Sequence, residues 1–265
     1  MSARLMIVSL AVAAALTGLG GCASKSTTEQ LPQIKTASDM TDVDRRARLR
    51  MELAGAYFGR GQSTTALDEV KQALVAKPDM PEAYNLRGLI YANLGQPQLA
   101  EESFQRGLQL NPKDADAMHN FGWFLCQERR FPEAEALFER AMQQPQYRDV
   151  PRTLLARGLC EARAGDLAKA ERTLTRSYEL DANNPATAFN LGEVLFRLQE
   201  FERARFYLRR VNAQPATANA QTLWLAARIE QQLGNPAGAR AFGEQLQERY
   251  PQSPETMRYE RGQFQ

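Results

Sequence analysis

The chain has 265 residues, and its 33 Lys and Arg residues almost balance its 31 Asp and Glu residues. A balance this even sets up no strong field toward nucleic acid or an anionic membrane surface, so no nucleic-acid partner is expected. The length suits one elongated domain or two ordinary ones.

Residues 1–21 have the pattern of an export signal. Arg4 supplies a positive charge and Leu5 to Leu16 is apolar, but the apolar stretch is too short to span a bilayer as a helix. The segment ends in Leu-Gly-Gly-Cys at Cys22, which resembles the bacterial lipobox. The resemblance implies that the signal is cut before Cys22, which then carries S-diacylglycerol and an N-acyl chain such as palmitate. The alternative is an ordinary signal with an incidental cysteine.

A lipidated Cys22 predicts a protein that is anchored to a membrane without crossing it, because three acyl chains exceed the two signals that stable anchoring needs. Residue 23 is Ala, whereas Asp at this position retains enteric-type lipoproteins at the inner membrane. The expected location is therefore the periplasmic face of the outer membrane. Residues 22–42 are rich in Ser, Thr, Lys, Gln and Pro, which predicts a flexible tether.

A small residue recurs along the rest of the chain at steps of 34, 34, 36, 34 and 35 residues. Helical solenoids have this kind of period, because each repeat is one helical unit that packs on its neighbours. The positions are Ala54, Gly88, Gly122, Gly158, Gly192 and Ala227. In the second unit the small residue stands among Tyr84, Tyr91, Gly95, Ala100, Phe104, Gly107 and Pro112, which resembles the tetratricopeptide (TPR) pattern.

This resemblance implies an all-α fold, a right-handed superhelical solenoid of six TPR helix-turn-helix repeats. The predicted solenoid spans 43–253, and residues 254–265 form a cap or tail. The predicted repeats are about 47–80, 81–114, 115–150, 151–184, 185–219 and 220–253.

Details of the repeats predict the turns and the helix contacts. Glycines stand where the first helix of four units should end, and glycine adopts the left-handed conformation of such turns cheaply. A small Ala in each second helix is expected opposite the small residue of the first. Two extra residues in 144–149 and one in 214–218 break the period and predict loops there. The turn glycines are Gly61, Gly95, Gly165 and Gly234, and the second-helix alanines are Ala66, Ala100, Ala134, Ala170, Ala204 and Ala239.

The concave groove of a TPR solenoid is lined by the first helix of each repeat, so the resemblance also implies which residues face a partner. The residues that map to the groove are mostly apolar, which predicts a protein-binding surface. The alternative is that these side chains belong to the core. The mapped residues are Phe58, Leu89, His119, Trp123, Leu155, Leu159, Phe189, Phe196 and Trp224. Arg163, Glu193, Arg197 and Arg228 map to the same face and either orient a bound segment or are simply solvated.

The remaining reactive residues give no sign of catalysis. Cys126 and Cys160 map to neighbouring first helices, so they are either a disulfide pair, which an oxidising periplasm favours, or two buried thiols. His119 is the only histidine, and its spacing from the cysteines matches no metal-site pattern. No phosphate-binding loop, nucleophile elbow or zinc-protease motif appears. The chain is therefore expected to be no enzyme, with no metal, no cofactor beyond the lipid and no small-molecule substrate.

One stretch resembles a particular family. Its residues are His119-Asn120-Phe121-Gly122-Trp123-Phe124-Leu125-Cys126, then Arg130-Phe131, Glu133-Ala134, Pro145-Gln146-Tyr147 and Gly158-Leu159-Cys160. They resemble the outer-membrane TPR lipoproteins of type IV pilus biogenesis, the pilotins of the PilF and PilW family. In that family Tyr is typical where this chain has Phe121, and paired cysteines occur in part of it, which supports the disulfide.

The family resemblance implies a function. Such a protein binds subunits of the pilus secretin and promotes their localisation to the outer membrane and their assembly into multimers. Two other functions stay open, a general scaffold lipoprotein for outer-membrane protein assembly and an adaptor of peptidoglycan enzymes.

Overall fold

The computed structural model describes residues 41–264, and the predicted signal, Cys22 and almost all of the tether lie outside them. The described residues form thirteen α-helices and no strand. In chain order these are α1 Asp42–Gly59, α2 Ser63–Ala76, α3 Pro81–Asn93, α4 Pro97–Leu110, α5 Ala115–Gln127, α6 Phe131–Met142, α7 Val150–Ala164, α8 Leu167–Leu180, α9 Pro185–Arg197, α10 Phe201–Asn212, α11 Ala220–Gln232, α12 Pro236–Arg249 and α13 Pro254–Glu260.

Helices α1 to α12 are arranged as six helix-turn-helix units. Each odd-numbered helix packs on the even-numbered helix after it, and successive odd-numbered helices also contact one another from α1 to α11. The short helix α13 packs on α11 and α12. This is the predicted all-α TPR solenoid. Its first helix begins earlier than the predicted start of the first repeat, because Thr41 forms a capping box with Asp44 and so starts α1 at Asp42.

The turn inside each unit places one residue in the left-handed region, always seven positions after the recurring small residue. The predicted glycines take this position in four units, with φ of 74° at Gly61, 68° at Gly95, 93° at Gly165 and 68° at Gly234. In the third and fifth units the position is held by Arg129 and Gln199, with φ of 62° and 63°. The backbone geometry thus persists where glycine is absent, at a local energetic cost.

The recurring glycines of the first helices are needed because a large side chain fills the space in front of them. A Cβ added at Gly88 would lie 2.7 Å from the ring of Phe104, and one at Gly158 would lie 2.6 Å from Leu174. In both units this large residue stands sixteen positions after the glycine. The sequence predicted an alanine opposite each glycine, and the carbonyl oxygens of Ala134, Ala170 and Ala204 do lie within 4 Å of the added Cβ in three units. The tightest contact, however, is with the large residue of the second helix.

The first and last units have a larger residue at the recurring position of the first helix and a smaller residue sixteen positions later. The small residue there is Ala54 or Ala227, and the residue sixteen positions later is only Val70 or Gly243. In the first unit a larger residue in the first helix is thus matched by a smaller one in the second. In the last unit the space in front of Gly243 is filled by the ring of Tyr259 from α13.

Candidate functional site: the groove of the first helices

The structure separates the nine predicted groove residues into two groups. Seven side chains are half-buried, with part of their surface open: Phe58, Leu89, Trp123, Leu155, Leu159, Phe189 and Phe196. The other two, His119 and Trp224, are buried, with only 6% and 5% of their surface exposed.

The middle of the groove combines apolar surface with positive charge. Leu89, Trp123 and Leu159 hold the same register in three successive units and are half-buried there. The guanidinium of Arg163 lies 5.0 Å from the centre of the Trp123 ring, within cation–π range. A cavity of about 200 Å³ opens beside Leu159. Its remaining lining residues are Ala162, Arg163, Asn190, Glu193, Val194 and Arg197.

A second aromatic and arginine pair lies further along the same face. The Arg228 guanidinium lies 4.2 Å from the centre of the Phe196 ring, which also packs edge-on against Phe201 at 5.4 Å. Burial lowers the pKa of Arg228, although nearby Glu193 opposes that shift. Arg228 therefore serves as a partly desolvated cation held against an aromatic ring, an arrangement that orients a carbonyl or carboxylate group.

Trp224 is not available as a groove contact, which corrects its predicted role. The end of the chain folds back over it, so that the rings of Phe264 and Trp224 lie 5.3 Å apart. Tyr259 packs edge-on against Phe264 at 5.9 Å, and Arg228 Nε donates to the Phe264 carbonyl over 3.4 Å. The C-terminal segment thus covers the last unit of the groove.

His119 is likewise a core residue and not a surface contact. Its Nδ1 and the Thr153 hydroxyl share a hydrogen bond of 2.8 Å, and Thr153 shares a second one of 2.6 Å with the hydroxyl of Tyr147. Burial lowers the pKa of His119 to about 4, and the charge of Arg152 adds to that shift. The histidine is therefore neutral at neutral pH and joins the third unit to the inserted loop and the fourth unit.

The junction of the third and fourth units carries further cross-links. Cys126 on α5 and Cys160 on α7 are adjacent, with Cα atoms 5.7 Å apart, a separation that suits a disulfide. Arg157 donates to Glu135 over 2.8 Å and to the buried Glu161 over 2.9 Å. Much of the stretch that resembles the pilus family therefore holds two repeats together, and its half-buried Trp123 and Leu159 map to the groove.

The sequence reasoning missed a polar row on the same helices. Asn120 Nδ2 donates to Asn85 Oδ1 over 3.2 Å, and Asn120 Oδ1 accepts from Arg152 over 3.4 Å. The signal in the sequence was weak, because Asn85 and Asn120 stand 35 residues apart, one more than the 34-residue step between these two units. The groove is therefore an apolar strip bordered by amides and arginines.

Other kinds of site receive no support from the part of the chain that the structure describes. Residues 41–264 contain no group of three or more His, Cys, Asp or Glu side chains placed to hold a metal ion. Over the same range, no helix combines the length and the apolar character needed to cross a bilayer.

Comparison with protein families matches tetratricopeptide repeat models to residues 53–119, to 93–157 and 161–223, and to 221–253. The type IV pilus assembly protein PilF of Pseudomonas aeruginosa is 26% identical over 243 residues, which cover 92% of this chain and 94% of PilF.

Solved structures agree with this result. The crystal structure of PilW, described as a widely conserved type IV pilus biogenesis factor, superposes with a TM-score of 0.75 at 28% identity and covers 82% of this chain and 98% of PilW. The structure of Pseudomonas aeruginosa PilF gives a TM-score of 0.72 at 25% identity, over 84% of this chain and all of PilF.

The chain belongs to the tetratricopeptide repeat family, whose members are helical solenoids. Within it, the chain is homologous to the type IV pilus biogenesis proteins PilF and PilW.

Proposed function

We propose that this protein is an outer-membrane lipoprotein that acts as a pilotin in type IV pilus biogenesis. In this role it binds secretin subunits through the groove of its first helices and promotes their multimerisation. The observation that supports this binding mode is the half-buried strip of Leu89, Trp123 and Leu159, which continues to Phe196 and is bordered by Arg163 and Arg228. The homology to PilF and PilW supports the pilus setting.

The strip has the composition of a binding hot spot. Trp and Arg are enriched among residues that dominate interface energies, and truncating such a residue typically costs about 2 kcal/mol or more. The stacked guanidiniums are already positioned against the rings of Trp123 and Phe196, so little conformational entropy remains to be lost on binding. An extended apolar segment of a secretin subunit, with carbonyl groups facing the arginines, fits this surface.

Lipidation at Cys22 gives the proposed function its location. An anchor at this residue and a tether of residues 22–42 would hold the groove near the outer membrane and raise the local concentration of the binding site there. Radiolabelled palmitate should be incorporated into the natural protein and not into Cys22→Ala, and the natural protein should sediment with outer membranes. Equal labelling of both proteins would contradict lipidation at Cys22.

The binding mode is tested by the double substitution Trp123→Ala and Phe196→Ala in the full-length protein. We expect reduced co-purification of secretin and loss of pilus-dependent twitching, at an unchanged circular dichroism spectrum. Val75→Ala is the matched control, because it removes an 84% exposed apolar side chain from the second helix α2. Unchanged secretin multimers in the double variant would contradict the groove assignment.

The two alternative functions make different predictions for a deletion strain. A general assembly lipoprotein would lower the levels of many outer-membrane barrel proteins, whereas a pilotin affects the pilus secretin alone. An adaptor of peptidoglycan enzymes would co-purify with hydrolases or synthases in place of secretin. Either result would replace the proposed function.

A further inference from the structure

A second aromatic and arginine cluster lies away from the groove, on the second helices of the fourth and fifth units. Tyr178 on α8 packs edge-on against Tyr207 on α10, with ring centres 5.0 Å apart, and Phe206 packs on Tyr207 at 5.2 Å. The Phe206 side chain is 54% exposed despite these contacts. An ordered aromatic ring with more than half of its surface open is an unusual use of a Phe side chain on a solvated helix.

Arg210 completes the cluster. Its guanidinium lies 6.0 Å from the centre of the Tyr178 ring and 5.9 Å from that of Phe206. Over residues 41–264 it forms no ion pair, unlike Arg203 and Arg205 on the same helix, which bind glutamates at 2.5 Å and 2.8 Å. In this part of the chain the Arg210 guanidinium therefore makes no salt bridge, although Glu171 and Glu179 lie near enough to Tyr207 to act on its hydroxyl.

A cavity of about 280 Å³ adjoins this charge. Arg210 lines it together with Tyr178, and amide side chains and the loop that carries the one-residue insertion form further walls. The volume lies just below the roughly 300 to 1,000 Å³ of small-molecule sites, so it suits one or two residues of a peptide better than a whole cofactor. The other lining residues are Ala182, Asn183, Asn184, Pro185, Ala188, Val211, Gln214 and Thr217.

We propose that Tyr178, Phe206, Tyr207 and Arg210, with the adjoining cavity, form a second docking surface, which binds an acidic peptide segment of a protein partner. An acidic side chain in the cavity would pair with Arg210, while the amides Asn183 and Gln214 lie where they would bond the peptide main chain. The exposed ring of Phe206 would pack on an apolar residue next to the acidic one. Charge complementarity thus selects the partner and the aromatic surface adds affinity.

The surface is separate from the groove, because all groove residues lie on odd-numbered helices whereas these four lie on α8 and α10. The protein would therefore hold two segments at once, one on each side of the solenoid. This inference does not depend on the identity of the partner in the groove.

The test uses the full-length protein and hexapeptides of equal aromatic content whose net charge runs from negative through neutral to positive. We expect the acidic peptides to bind and the neutral and basic ones not to bind, by fluorescence anisotropy. Arg210→Gln and Phe206→Ala should each weaken binding by about tenfold or more, as hot-spot residues do. Arg140→Gln, on the exposed side of α6, is the matched control and should leave affinity unchanged.

Three results would overturn the proposal. These are peptide binding that does not depend on charge, acidic-peptide binding that Arg210→Gln leaves unchanged, and binding to phosphatidylglycerol vesicles without binding to acidic peptides. Trp123→Ala, in the groove, distinguishes the two surfaces, since it should leave acidic-peptide binding intact. Phe206 is exposed, so Phe206→Ala keeps the test valid even if Arg210→Gln should fail to fold.

Discussion

Gly88→Ala provides the sharpest test of the packing rule inside the repeats. The new Cβ would lie 2.7, 2.8 and 2.9 Å from three ring atoms of Phe104, whereas carbon atoms pack at about 3.5 to 4.0 Å. The Phe104 ring is fully buried and stacks on Phe121 at 5.3 Å, so it cannot move aside without disturbing its neighbours. The helix backbone and Phe104 must therefore separate.

The expected size of the effect follows from two opposing contributions. Overpacking of a core costs about 1 to 3 kcal/mol, while replacing a helical Gly by Ala gains roughly 0.5 to 1 kcal/mol. We therefore expect the free energy of unfolding of Gly88→Ala to fall by about 1 to 2 kcal/mol. In urea this lowers the unfolding midpoint by roughly 0.5 to 1 M, measured by circular dichroism.

Gly55→Ala is the matched control, because a Cβ at this helical glycine meets no atom within 4 Å. The control should raise the midpoint. Adding Phe104→Val to Gly88→Ala reproduces the Ala54 and Val70 pair of the first unit, and the double variant should lose less stability than the sum of its single variants. A Gly88→Ala protein as stable as the natural one would refute the packing rule.

Three further predictions concern the turn, the buried histidine and the cysteines. Gln199→Gly should add about 1 kcal/mol to the free energy of unfolding, because glycine removes the strain of a left-handed backbone at this position. Gln232→Gly, at a helical position, should lower the free energy of unfolding. A loss of stability in Gln199→Gly as well would contradict the turn assignment. Folding lowers the pKa of His119, so the contribution of its neutral form to stability is complete above pH 6.5 and is lost as the pH falls toward 4. Between pH 7.5 and 5.5 the free energy of unfolding should therefore drop by about 1.4 kcal/mol more in the natural protein than in His119→Gln. An equal drop in both proteins would contradict the burial of His119. If Cys126 and Cys160 are bonded across 34 residues, reduction should lower the stability by up to about 4 kcal/mol, and the double Ser variant should not respond to the reductant; an unchanged midpoint on reduction of the natural protein would contradict the bond.

The regular parts of the fold were predictable from the sequence. A period near 34 residues, small residues at fixed positions and glycine in the turns all express the same local rule, in which each unit repeats the contacts of the last. The equal burial of residues at matching positions follows from that rule, since Trp123 and Leu159 are both half-buried.

The departures have causes that no repeat pattern contains. Trp224 is covered because Phe264, outside the repeats, folds back on it, and His119 is buried because a loop of irregular length places Tyr147 and Thr153 beside it. Arg129 takes the turn conformation without glycine because the two helices around it fix the backbone. Trp224 thus depends on a residue outside the repeats, and His119 depends on the inserted loop that supplies Tyr147.

Photo-crosslinking from the groove in living cells tests the central proposal most directly. A photoreactive phenylalanine in place of Trp123, in the full-length lipoprotein of a strain that makes pili, should yield a crosslinked product that antibody against the pilus secretin detects. The same residue in place of the exposed Val75, on the second helix α2, should not. Secretin captured equally from both positions, or from neither while both variants support twitching, would contradict binding of secretin in the groove.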